Sequence, residues 1–356
     1  MGVSCGDMSA EGRDKIAILC KNRPEWVMLD LAVQQIGALL VPLYPTINVN
    51  ELEYVLNDAQ VKFVFVNDED LYLKVFSLKD KVPSLKDIYT FEHVPNAKHW
   101  KEVTSLSTPE LINKIKPIAD GIKYEDLVTI IYTSGTTGKP KGVMLSHRNI
   151  LSNVIDSLPC FPPGDDMRSL SFLPLNHIFE RMVTYLYLFN RTAIYYAESL
   201  ESIGDNLKEV KPHLFTTVPR LLEKVYDRIM EKGSELSGFK KKLFFWAHGL
   251  AEKFEINKNQ GFWYRLQLGL ANKIIFSKWR EGLGNNIKCI VSGGAACQVR
   301  LIRIFTAARI PIMEGYGLTE TSPVISVNRY EISGRSFGTV GPLIKNVAVK
   351  IAEDGE

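Results

Sequence analysis

Short apolar runs alternate with amphipathic stretches from residue 15 onward, and that alternation restricts the chain to an α/β fold. Lys15–Cys20, Ala38–Leu43 and Val61–Val66 read as strands. Between and after them, Pro24–Gly37, Asn50–Asp58 and Asp70–Phe76 carry helical spacing, the last two bounded by Asn or Asp punctuation. Strand–helix–strand repetition of this kind builds a mainly parallel sheet covered by helices.

The rhythm resumes further along. Ser146 is placed to cap a helix running to about Leu158, and Ser169–Leu173, Arg191–Tyr196, His213–Thr217 and Ile287–Val291 read as further strands. Pro219 opens a helix reaching Glu231, with its proline in the first turn. A chain of 356 residues exceeds the roughly 250–300 residues that one hydrophobic core organises. Two helix-covered sheets are therefore expected, in subdomains near 1–125 and 126–335, with 336–356 opening a β subdomain around Val347. Ser234–Gly282, aromatic-rich and mostly helical in pattern, reads as an excursion between strands, with turns near Gly261 and Gly282.

Composition narrows the function classes. Hydrophobic residues at 46% and charged residues at 23% describe a compact globular chain, and a net charge of +3 spread along the sequence excludes the one-signed footprint of a nucleic-acid binder. The five cysteines are scattered without C-x-x-C spacing, which points away from a disulfide framework or zinc site and toward the reducing cytoplasm. No run approaches the ~18 apolar residues of a membrane span; Ile36–Leu43 and Tyr185–Ala197 come nearest. Phe239–Trp246 joins three lysines to aromatics. That pattern fits either peripheral membrane contact or aromatics buried beneath solvated lysines.

The densest chemical signal is Tyr132-Thr133-Ser134-Gly135-Thr136-Thr137-Gly138-Lys139-Pro140-Lys141-Gly142, directly after the apolar segment Leu127–Ile131. Glycines let backbone N–H groups approach an anion, hydroxyls add donors, and lysine adds charge, so the run is suited to phosphates. It is not a P-loop, because Gly138-Lys139 is followed by Pro140 instead of Ser or Thr; a Rossmann glycine pattern is also absent. The plain alternative is a Gly/Thr surface loop without a ligand.

Two further small-residue runs follow expected strands: Ser292-Gly293-Gly294-Ala295-Ala296 after Val291, and Glu314-Gly315-Tyr316-Gly317-Leu318-Thr319-Glu320-Thr321 after Ile310–Met313. Ligands of open α/β sheets sit beyond the carboxyl ends of strands, so three such loops are placed to share one ligand. Tyr316 is suited to stack on a base, and Glu320 to hold a hard cation. Taken singly, Ser292–Ala296 is equally a helix start, and Glu320 a surface acid.

Jointly, in order and spacing, these runs resemble the motifs of the adenylate-forming enzymes. The chain is most similar to long-chain fatty acid–CoA ligases through the continuation Val143–Asn149, the segment Ser171–Arg181 with His177-Ile178-Phe179-Glu180-Arg181, Val218–Leu221 and Gly338–Gly341. The likeness runs from about Asp14 to the end. It implies that Thr133, Ser134, Gly135, Thr136, Thr137, Gly138 and Lys141 surround the ATP phosphates, with Lys139 nearby. Gly294, Ala295, Ala296, Glu314, Gly315, Tyr316, Gly317, Leu318 and Thr319 would border adenine and the α-phosphate, and Thr133 and Glu320 would hold Mg²⁺. His177 matches a histidine beside the acyl carboxylate, although a lone histidine there also suits a plain core position. By resemblance, Lys141, Thr319, Glu320 and His177 carry the catalysis.

The implied reaction activates a fatty acid with ATP through an acyl-adenylate and then transfers the acyl group to CoA. The resemblance also implies a following small C-terminal domain with a catalytic lysine, so the sequence reads as the large N-terminal domain, shortened at both ends and poorly active alone. Two alternatives remain open: a ligase for a medium-chain or aryl acid, and a non-catalytic nucleotide-binding module. Asn346 stands where relatives usually carry glycine.

Overall fold

A computed structural model describes residues 13–134 and 138–355; Gly135, Thr136 and Thr137 of the expected phosphate run lie outside the described residues. The described residues fall into two compact units, those up to 152 together with 174–181, and 153–173 together with those from 182 onward.

The first unit is built on a seven-stranded sheet of β1 (Lys15–Leu19), β2 (Leu39–Leu43), β3 (Val61–Val66), β4 (Asp87–Thr90), β5 (Lys98–His99), β6 (Leu127–Thr133) and β7 (Lys141–Ser146), in the order β5-β4-β3-β1-β2-β6-β7. Every pairing is parallel except β6 with β7. β1 and β2 are buried along their whole length, as their near-continuous apolar sequence requires. The expected punctuation caps helices: the Asn48 side chain accepts from Glu51 N–H at 2.9 Å, and Asp68 from Leu71 N–H at 3.1 Å. Ser146 Oγ likewise accepts from Asn149 N–H at 3.2 Å, at the start of the helix His147–Ser157.

One buried ion pair fixes the returning segment 174–181 in this unit. Arg181 Nε donates to Asp30 Oδ2 at 3.0 Å, Nη2 to Asp30 Oδ1 at 2.5 Å, and Nη1 to Thr129 Oγ1 at 2.7 Å. Both side chains are sealed, at 0% and 1% exposure. The Thr129 hydroxyl in turn donates a hydrogen bond to the Leu40 carbonyl at 2.6 Å, so β6 is bound to β2 by side chain as well as ladder. Leu175 N–H reaches Asn22 Oδ1 at 3.0 Å, and Asn176 donates to the Leu43 carbonyl. β6 and β7 thus complete the first sheet, and the units part after Ser152 instead of near residue 125.

The second unit holds six strands, β8 (Arg168–Ser171), β9 (Ala193–Tyr196), β10 (Leu214–Thr217), β11 (Cys289–Ser292), β12 (Ile312–Gly317) and β13 (Val324–Val327), in the order β13-β12-β11-β10-β8-β9. Only β12 with β13 is antiparallel. Its core packs Phe215, Leu222, Phe244, Phe276, Trp279 and Phe305. The excursion resolves into helices Gly238–Glu252, Phe262–Ala271 and Ser277–Gly282, the last two joined by a π-helical turn, Asn272–Phe276. Its first turn falls at Gly261 as expected. The second falls at Gly284, where φ is +87° and an added Cβ would lie 2.5 Å from the Leu207 carbonyl oxygen.

Residues 336–355 form no strand, and one bridge, Ser326 to Leu343, ties them to β13. Asn346 takes φ +64°, and its Nδ2 donates to both Asp156 carboxylate oxygens at 3.1 Å. The position needs a left-handed residue, which glycine and asparagine both supply. Cys20, Cys160, Cys289 and Cys297 are free and buried, and burial pushes the thiols of Cys20, Cys289 and Cys297 up to about 12. Among the described residues no helix is long and apolar enough to cross a membrane.

Removing one partner of a buried pair strands a charge. Asp30→Ala should cost about 3–5 kcal/mol in urea unfolding, whereas Asp30→Leu with Arg181→Met should recover most of that loss. Equal destabilisation by single and double variants would refute a charge-based role.

Candidate nucleotide site

The first motif is the connection of a β-hairpin. Thr133, the last residue of β6, faces Lys141, the first of β7, and residues 134–140 join them. Cross-strand partners project to the same face of a sheet, so a hydroxyl and an ammonium flank the ends of this connection. Lys141 and Ser134 are exposed, and the Lys141 ammonium makes no hydrogen bond or ion pair among the described residues. Gly138 sits at φ +90°. The hairpin geometry agrees with the failed P-loop pattern, which needs a strand leading into a helix.

Behind the connection the hairpin is pinned. Tyr132 donates its hydroxyl proton to Asp58 Oδ2 at 2.5 Å, and burial, followed by that bond, raises its pKa. Gly142 lies opposite Tyr132, where a Cβ would come within 2.7 Å of Ile130 Cγ2 and 3.2 Å of the Tyr132 ring. Lys139 Nζ stands 5.6 Å from the centroid of the Tyr54 ring.

His177 is exposed and precedes the helix Ile178–Phe189, where its Nδ1 accepts the Phe179 N–H at 3.2 Å. That bond requires an unprotonated Nδ1 and so leaves the proton on Nε2. Although its edge reaches solvent, desolvation of the ring by its surroundings lowers its pKa and favours the neutral form. His177 is therefore a helix cap with one outward N–H donor.

In the second unit, two of the sequence motifs are joined by one carboxylate. β11 ends at Ser292, Gly293 N–H donates to the Thr217 carbonyl at 3.1 Å, and Gly294, at φ +79°, is exposed with Ala295 and Ala296. At the end of that run, Cys297 N–H donates to Glu314 Oε1 at 2.9 Å. Glu314 is buried in β12, and burial raises its pKa, partly offset by this bond.

The third motif is not the loop its glycines suggest. Glu314–Gly317 are strand residues of β12, Glu314 paired with Ser292 of β11 and Gly315–Gly317 paired with β13, and only residues 318–323 turn. Pairing with β13 outweighs the weak strand propensity of the two glycines. Gly317 is required by contact, since a Cβ there would fall 1.9 Å from the Pro323 carbonyl oxygen. Tyr316, opposite Ser326, keeps its ring half exposed. Leu318 N–H donates to Thr321 Oγ1 at 2.8 Å and tightens the turn carrying buried Thr319 and exposed Glu320.

Two asparagines that the sequence did not single out hold this edge. Asn153 Nδ2 donates to the Val324 carbonyl at 2.8 Å, and its Oδ1 accepts from Val324 N–H at 3.1 Å. Buried Asn328 donates to the Thr339 carbonyl at 2.7 Å and accepts from Ser336 N–H at 3.0 Å. Proximity to a glycine-rich run was their only signal.

Two mainly parallel sheets, each finishing in an antiparallel hairpin that carries a glycine-rich motif, define an adenylate-forming type of large domain. The comparisons agree. The family described as AMP-binding enzyme matches residues 8–356, and the chain belongs to that family. It is 30% identical over 95% of its length to long chain acyl-CoA synthetase 3 of Arabidopsis thaliana, covering 52% of that protein. It is 33% identical over 88% of its length to long-chain-fatty-acid–CoA ligase 5 of Mus musculus, covering 47%. It is 28% identical over 98% to a long-chain-fatty-acid–CoA ligase of Mycobacterium bovis, covering 58%. The chain thus spans about half the length of these relatives. Among solved structures, the inhibitor-bound N-terminal domain of FACL13 from Mycobacterium tuberculosis superposes with a TM-score of 0.66 at 18% identity, over 97% of this chain and 73% of that one, which establishes the fold.

A carboxyl whose folded pKa is raised stabilises the fold less as it ionises. Wild type should therefore lose stability relative to Glu314→Gln as pH rises from the ordinary carboxyl value of 4.5 through the elevated one. Parallel urea midpoints for the two across that range would show that Glu314 does not titrate differently on folding. Gly317→Ala should destabilise the β12–β13 edge by about 1–3 kcal/mol, read by the same unfolding.

Proposed function

We propose that the protein whose chain this is activates a long-chain fatty acid with ATP and passes the acyl group to CoA. Membership of the AMP-binding family and the names of the relatives support this reading. The observation that carries it is the cross-strand placement of Thr133 and Lys141 at the two ends of a glycine-rich hairpin connection.

In this reading the fatty carboxylate oxygen attacks the α-phosphorus of ATP, the α–β anhydride bond breaks, and pyrophosphate leaves. The CoA thiol then loses its proton, its sulfur bonds to the acyl carbon, and AMP departs. Charge grows on phosphate oxygens in the first step, so the ammonium of Lys141 and backbone and hydroxyl donors are the useful groups, and no covalent enzyme intermediate is required. Thr133, Ser134, Gly135, Thr136, Thr137 and Gly138 are assigned to the phosphates. Gly294, Ala295, Ala296, the β12 residues Glu314–Gly317, Leu318 and Thr319 are assigned to AMP. His177, neutral and carrying its proton on Nε2, is assigned to orient the acyl carboxylate by hydrogen bonding.

Mg²⁺ suits the chemistry of each assigned oxygen, one in each unit. Glu320 is an exposed carboxylate with no hydrogen-bond or ion-pair partner among the described residues, and the Thr133 hydroxyl is a second hard oxygen. Among the described residues no three His, Cys, Asp or Glu gather into a cage, and Mg²⁺ held mainly by phosphate oxygens and water needs none. Bound there, it would neutralise phosphate charge.

Lys141→Ala and Glu320→Gln should each weaken MgATP binding by about tenfold or more in calorimetric titration, the loss of one charge-assisted contact. Unchanged affinity in both would overturn the assignments. Acid-dependent pyrophosphate release, compared across fatty acids of increasing length and benzoate, tests the substrate; release with benzoate alone would replace the fatty acid by an aryl acid.

A further inference from the structure

The second unit presents an apolar helix face to solvent. In the helix Phe262–Ala271, Tyr264, Leu268 and Ala271 turn inward against the core, and Tyr264 donates its hydroxyl proton to the Leu250 carbonyl of the adjacent helix Gly238–Glu252 at 2.8 Å. At about 100° per residue, Phe262, Trp263, Leu266 and Leu270 fall on the opposite side. Phe262 is 72% exposed and Trp263 71%, with Leu266 and Leu270 also exposed. Ile274 continues the stripe, and Phe239, 77% exposed, stands near the start of the adjacent helix. A surface helix of a globular domain normally turns such a stripe inward.

Charge is equally skewed. Residues 238–280 hold nine Lys or Arg against two Glu, in a chain whose net charge is only +3. Lys240, Lys241, Lys242, Arg265 and Lys273 are all exposed.

We propose that this face docks on an anionic lipid bilayer. The helix Phe262–Ala271 lies in the interfacial plane with Phe262, Trp263, Leu266 and Leu270 among the upper acyl chains, and the lysines and Arg265 meet lipid headgroups. Charge complementarity selects this occupant over a second copy, because pairing two such faces would oppose cations to cations. The proposal does not rest on the ligase reading, since none of these residues belongs to the nucleotide motifs.

Co-sedimentation with vesicles tests it, comparing pure phosphatidylcholine with a phosphatidylcholine–phosphatidylglycerol mixture. The chain should bind the mixed vesicles and release with rising salt. Lys240→Gln, Lys241→Gln and Lys242→Gln combined should lower partitioning by about fivefold for each lysine removed. Phe262→Ser with Trp263→Ser should abolish it while circular dichroism, melting and MgATP titration stay as in wild type. Wild type that ignores mixed vesicles, or binds both compositions equally, would overturn the proposal. So would a dimer in sedimentation velocity that the Phe262→Ser, Trp263→Ser variant dissociates.

Discussion

The buried pair between Arg181 and Asp30 is the constraint on which the first unit depends. An arginine with no exposure must be matched donor by donor, and Asp30 and Thr129 take three of its hydrogens in a fixed fork. Three places in the chain, a helix after β1, the middle of β6 and the beginning of a distant helix, are thereby bound to one planar group. This pins residues 174–181, and with them the neutral cap His177, to a sheet whose strands lie mostly far earlier in sequence.

The two units share a plan. Each sheet is parallel except for one terminal strand, and in each the antiparallel pair carries a motif rich in glycine. An antiparallel pair closes through a short connection, whereas parallel strands need a long crossover. Short closure brings Thr133 opposite Lys141 and holds Tyr316 one turn from Glu320. In both hairpins a glycine is demanded by contact, at Gly142 against Ile130 and at Gly317 against Pro323.

Much of this was legible in the residues. Apolar runs such as Lys15–Leu19 and Val61–Val66 could be only buried strands, and the capping residues Asn48, Asp68 and Ser146 do what their chemistry suggests. What escaped was long-range. Glu314–Gly317 looks like a loop because its strand character comes from β11 and β13, not from its own composition. β7 carries exposed Lys141 and Met144, and its apolar run is only three residues, Val143–Leu145. Arg181 and Asp30 are separated by 151 positions, and nothing in either neighbourhood announces the other. Of the candidate site, the motif residues were readable, while the supports, Asn153, Asn328 and Asp58, were not.

The bond between Cys297 and Glu314 has a mechanical consequence. A carboxylate on an inner strand grips the end of a run whose exposed residues have no side chain beyond a methyl. Gly294–Ala296 and the strand bearing Tyr316 are therefore tethered to one another through a single side chain. An acid one methylene shorter at 314 would fall short of the Cys297 N–H and leave that tether undone.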